Sequence, residues 1–99
     1  MEEKKYTIEL TERDVAVTLL ALAETAKVEF EMYRELKDSS DPIARKGVAD
    51  APIRINDLLD IAQKIDPESP LTKAIEKFSD MIMEIDTHDL IKQVEAVMN

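Results

Sequence analysis

A single glycine, Gly47, and four prolines supply nearly all the tight-turn chemistry in a chain of 99 residues. Antiparallel strands are joined by turns that rely on Gly, Asn and Asp in backbone conformations other residues resist, so most all-β architectures are excluded at this length. Helices make no such demand. The apolar fraction of 44% is ordinary, but aromatics make up only 4%, so Leu, Ile, Val, Ala and five Met must fill the interior. A chain this short buries only about 60–65% of its unfolded surface and builds one core. The expected fold is therefore an all-α single domain over residues 1–99, a small helical bundle. It has one long N-terminal helix, three to four shorter helices over residues 41–98, and a short N-terminal β-segment within residues 1–11.

The β-segment is read from alternation. Tyr6, Ile8 and Leu10 fall on one side of an extended stretch and Thr7 and Glu9 on the other. Thr11 then has the chemistry of an N-cap, with Asp14 three positions on in the manner of a capping box, and the spacing predicts a helix over 12–37. Val15, Leu19, Leu22, Ala26, Phe30 and Tyr33 recur every three or four residues and mark its inward face. Val17, Leu20, Ala21, Val28 and Met32 project roughly opposite, interrupted by Glu24, Glu31 and Glu35. Asp41-Pro42 opens a short segment that Gly47 is expected to stop. Asp50 and Pro52 are expected to start another, with Ile55, Leu58, Ala62 and Ile65 inward. Ser69-Pro70 opens the next helix, with Leu71, Ile75, Phe78, Ile82 and Ile85 inward. There the apolar phase shifts towards Leu90, Ile91, Val94 and Val97, which a fresh cap at Asp86 or Thr87 would explain.

Charge bounds the partners. Twenty-two acids against 13 bases give a net charge of −9, so phosphate backbones are repelled and direct nucleic-acid binding is not expected. The acids are spread, with 10 acids and 6 bases in residues 1–38, 5 and 4 in 39–66, and 7 and 3 in 67–99. Without cysteine there is no disulfide framework and no thiolate metal site. The opening Met-Glu-Glu-Lys-Lys lacks an apolar signal core, and no run is long enough to span a bilayer, so a cytoplasmic protein without membrane contact is expected.

Catalytic constellations are thin. His88 is the one histidine, four residues beyond Glu84 and eight beyond Asp80, a column of carboxylates and imidazole if the helix is unbroken. Asp and Thr at that point equally suit a solvated helix terminus. Carboxylate pairs such as Asp57 with Asp60, or Glu31 with Glu35, are the normal dress of helices in an acidic chain. The Arg45, Lys46 and Arg54 group reads as a solvated stretch. Met81 and Met83 fill a core or soften a groove. No catalytic residue, metal ligand or cofactor is assigned, and no enzymatic activity is expected.

The segment Tyr6-Thr7-Ile8-Glu9-Leu10-Thr11-Glu12-Arg13-Asp14, followed by Leu19-Leu20-Ala21-Leu22, resembles the openings of small uncharacterised phage and prophage proteins over about the first quarter of the chain. The resemblance implies a host protein, such as a defence complex, as target. The functional expectation is an acidic, non-catalytic interaction module that forms a homodimer or larger assembly and modulates or inhibits another protein. Its interface residues are Tyr6, Ile8, Leu10, Val17, Leu20, Ala21, Val28 and Met32. Its rivals are an acidic nucleic-acid mimic occupying a basic groove and a small carboxylate- or metal-dependent hydrolase.

Overall fold

The computed structural model describes residues 3–98 and shows three helices, α1 (Glu12–Leu36), α2 (Pro42–Ile65) and α3 (Pro70–Met98). The first begins as the sequence predicts. Thr11 is extended, its hydroxyl accepts from the Asp14 amide at 3.1 Å, and the Asp14 carboxylate accepts from the Thr11 amide at 3.0 Å. Two amides that would otherwise lack partners are thereby satisfied reciprocally. Asp41 caps α2 by accepting from Ile43 at 3.0 Å with Pro42 in the first turn, and Ser69 accepts from Leu71 at 3.2 Å at the start of α3.

The helices run up, down and up. The end of α1 lies against the start of α2, where Met32 approaches Gly47, and Leu10, Val15, Leu19, Ile65 and Leu71 meet at the opposite end. Leu19, Ala23, Ala26, Phe30 and Tyr33 of α1 close the core with Ala51, Ile55 and Ala62 of α2 and Ile75 and Ile82 of α3. Val15, Leu22, Leu58, Ile65, Leu71, Phe78 and Ile85 pack around them, so the inward stripes read from spacing are those that meet. Phe30 and Phe78 stack with centroids 5.2 Å apart. Thr72 is fully buried, and its hydroxyl donates to the Asp66 carbonyl at 2.7 Å, tying the end of α2 to the start of α3.

Several boundaries differ from expectation. No strand occurs among the described residues, and Tyr6, Ile8 and Leu10 lie in a stretch without regular structure, because a strand needs a hydrogen-bonded neighbour that the chain itself does not provide. The shorter helices are two long ones. Gly47 lies within α2 and not at its end. It has no positive φ, and a methyl group there would meet Met32 Sδ at 3.3 Å, so close helix approach accounts for the glycine. Asp50 does not cap a helix but stands inside α2, 3.9 Å from the Arg54 guanidinium. Pro52 is likewise internal and leaves the carbonyl four residues earlier without its helical donor. In the same turn the Arg54 guanidinium donates to the Gly47 carbonyl at 3.2 Å.

The cap expected at Asp86 or Thr87 is also absent, and α3 continues through both. Asp86 accepts from the Tyr33 hydroxyl, and Thr87 donates to the Met83 carbonyl one turn back at 2.8 Å. Both side chains are thus engaged with groups that do not interrupt the helix.

Truncating the stacked and fully enclosed side chains by Phe30→Ala or Ile55→Ala should each cost about 2–5 kcal/mol in chemical denaturation, whereas Val28→Ala on the outer face should cost under about 0.5 kcal/mol. Gly47→Ala should stabilise by about 0.5 kcal/mol, since helix propensity improves and the flexible Met32 thioether yields. Gly47→Leu, which the thioether cannot accommodate, should destabilise.

Candidate interaction site

Residues Tyr6, Thr7, Ile8 and Leu10 line one groove of about 710 Å3 with Val15 and Thr18 of α1 and Ile61, Lys64 and Ile65 of α2. The N-terminal segment thus borders the first turns of α1 and the last turns of α2 without sealing its side chains against either. Tyr6 is 78% and Ile8 73% exposed, and Leu10 is the least open at 39%. The Lys4 ammonium stands 5.6 Å from the Tyr6 ring centroid, a contact that helps orient the ring. Ile8 and Leu10 share this apolar edge with exposed Ile61.

On the outer face of α1, Val17, Leu20, Ala21 and Val28 are exposed, while the core stripe lies on the other side of the helix. Glu24, Glu31 and Glu35 stand among them, and the nearest base to Glu31 is Lys27 at 4.0 Å. Met32 departs from the expected grouping. It is half-buried and packs on the core beside Gly47, so it belongs to the α1–α2 seam and not to the free face. Seven of the eight residues singled out by pattern are therefore open, and the eighth is occupied within the chain.

The polar groups along the seams hold the bundle together. Arg54 reaches Glu29 at 2.7 Å across α1 and α2, and that hydrogen bond raises the guanidinium pKa further. Lys37 reaches Asp89 at 3.2 Å across α1 and α3, which raises the ammonium pKa against the opposing effect of desolvation. Ser79 donates to Asn56 at 2.8 Å across α2 and α3. Continuity of α3 brings Asp80, Glu84 and His88 along one open helix side with Met83, Thr87 and Ile91. Among the described residues, no three acidic or imidazole groups converge on a point that would hold a metal ion. No helix among the described residues is long and apolar enough to cross a membrane.

No protein-family model, curated protein or solved structure matches this chain. What the geometry defines is a class, a three-helix bundle with apolar surface left outside its core. Sequence reading did not single out the Tyr33–Asp86 and Lys37–Asp89 contacts. Their only signal was spacing, since residues four apart on α1 meet residues three apart on α3.

Tyr33 is 4% exposed, and burial first, then its hydrogen bond to Asp86, pushes its pKa above the ordinary 10.0. The fold favours the protonated phenol, so this contribution is complete below pH about 10 and is lost as pH rises above it. Unfolding free energy measured by denaturant titration should fall above that pH with a limiting slope of about 1.4 kcal/mol per unit from this group. Tyr33→Phe should flatten the slope and cost about 0.5–1.5 kcal/mol at neutral pH.

Proposed function

We propose that the protein is a non-catalytic interaction module that self-associates and docks onto another protein through its N-terminal segment and the outer face of α1. The observation that carries this reading is the exposure of two sets of apolar side chains, Tyr6, Ile8 and Leu10 on the segment and Val17, Leu20 and Val28 on the helix. Isolated apolar side chains on a surface need no explanation, but aligned ones rimmed by charge mark contact sites. The segment has backbone groups available for pairing and alternating side chains, which suits addition of a strand from a second copy or from a target's sheet edge. The helix face, with Glu24, Glu31 and Glu35 among its aliphatics, suits a helix carrying both apolar and basic groups. With a phage-type origin the target would be a host protein.

Light scattering on the full chain tests the self-associating half. The wild type should run as a dimer or larger at micromolar concentrations, and Ile8→Asp or Leu20→Glu should lower its mass while leaving helical circular dichroism unchanged. A wild type that stays monomeric at tens of micromolar would remove self-association from the reading. The docking half has its own readout. A synthetic Lys-rich amphipathic helix should bind the wild type and lose most of its affinity for Val28→Lys, and equal binding to both proteins would exclude the α1 face.

A further inference from the structure

Lys37, just past the end of α1, holds Asp89 of α3, and every described residue from Leu90 to Met98 is exposed. About 13 Å of α3 therefore extends past the point where α1 supports it, in a molecule 57 Å long and only 31 by 24 Å across. This extension is not a polar tail. Leu90, Ile91, Val94, Val97 and Met98 share one side, and Met83 begins the same line alongside the bundle. At 100° per residue this stripe is turned about 130° from the stripe of Leu71, Ile75, Phe78 and Ile82 that faces the core. The six side chains are between 49% and 87% exposed.

We propose that two copies of the chain pair antiparallel along this stripe. Three observations select a second copy as the occupant. The stripe presents roughly 500–600 Å2 of apolar surface, at the upper end of what a monomer leaves open, and two such faces together reach about 1,000 Å2, the lower bound of a specific interface. Residues 90–98 carry one base, Lys92, and one acid, Glu95, so the stripe beyond Asp89 is neutral in a chain of net charge −9, while Glu84, Asp86 and Asp89 flank its start at Met83. The α1 outer face, by contrast, carries Glu24, Glu31 and Glu35 among its aliphatics. The geometry also orders the pair. Parallel tails would place two strongly acidic bundles side by side along their length, whereas antiparallel tails place them end to end, so that only their ends lie within a screening length of each other. Helix packing with spacings of three and four then sets Leu90 beside Ile91 of the partner copy near the two-fold axis and Met83 beside Met98 of the partner copy at the ends. An extension whose described residues are all exposed would otherwise hold its helix largely on propensity, which short segments do poorly in water.

The surface is separate from the N-terminal segment, and the absence of cysteine gives a trap that distinguishes them. In the full chain, Ile91→Cys lies near the middle of the stripe and close to the two-fold axis, while Val97→Cys lies at one end. Mild oxidation should join Ile91→Cys into covalent dimers at least about tenfold more completely than Val97→Cys, because only near the axis do equivalent positions come within disulfide reach. Val94→Glu should abolish trapping at Ile91→Cys and leave the thermal unfolding of the bundle unchanged, and Ile8→Asp should leave the trapping intact. Raising salt from 50 to about 500 mM should increase trapping, since screening relieves repulsion between the bundles and no ion pair is lost. Equal trapping at both positions would overturn the antiparallel pairing. No trapping at Ile91→Cys would overturn the α3 surface altogether, and loss of trapping in Ile8→Asp would assign association to the segment instead.

Discussion

The side of α1 that runs from Leu19 through Ala26 and Phe30 to Tyr33 is the surface on which both other helices are registered. Alanines at 23 and 26 let α2 and α3 approach closely, while Leu19 and Phe30 fill the space above and below. Phe78 meets Phe30 from α3, and Tyr33 closes the seam by donating to Asp86. With few aromatics in the chain, their pairing at one level concentrates much of the buried area there. The small residues of α2, Gly47, Ala51 and Ala62, complete the fit from the other side, where Met32 takes up the gap beside Gly47. A bulkier side chain at any of these small positions would separate helices along their whole length.

That seam also decides what is left outside. Because α1 sits between its two partners on one side only, its opposite face is open, and Val17, Leu20 and Val28 reach water. Because Asp86 is engaged by Tyr33, α3 continues past the point where a cap could have ended it, and the apolar positions beyond it turn away from the bundle. The two exposed surfaces therefore share a cause, which is the placement of the core on one side of α1. They differ in electrostatics. The α1 face is dressed with glutamates and suits a basic partner, while the end of α3 is neutral and suits a copy of itself. A strongly acidic chain can thus remain repulsive over most of its surface and still offer distinct points of contact.

Much of this was legible from residue spacing. The capping box at Thr11 and Asp14, the core stripe of α1, the inward positions Ile55, Ile75, Phe78 and Ile82, and the prolines at the helix starts follow from local rules acting over three or four residues. Local rules also misled, each time at a residue with two uses. Gly47 reads as a stop and serves as a contact, Asp50 and Asp86 read as caps and serve as partners to Arg54 and Tyr33, and Met32 reads as surface and lies half-buried.

Taken by itself, the sequence determined that the chain is helical, that it builds one core, and which face of each helix turns inward, because glycine content, capping chemistry and a period of 3.6 residues are properties of the chain alone. Only the tertiary structure decided that the described residues form three helices and not more, since whether an Asp ends a helix or answers a tyrosine depends on what another helix brings within hydrogen-bond reach of it. The same holds for the exposed stripes. Periodicity marks a face as apolar, but whether that face is covered is settled by the number and direction of neighbouring helices, and two neighbours cannot cover both sides of α1 and the length of α3 at once.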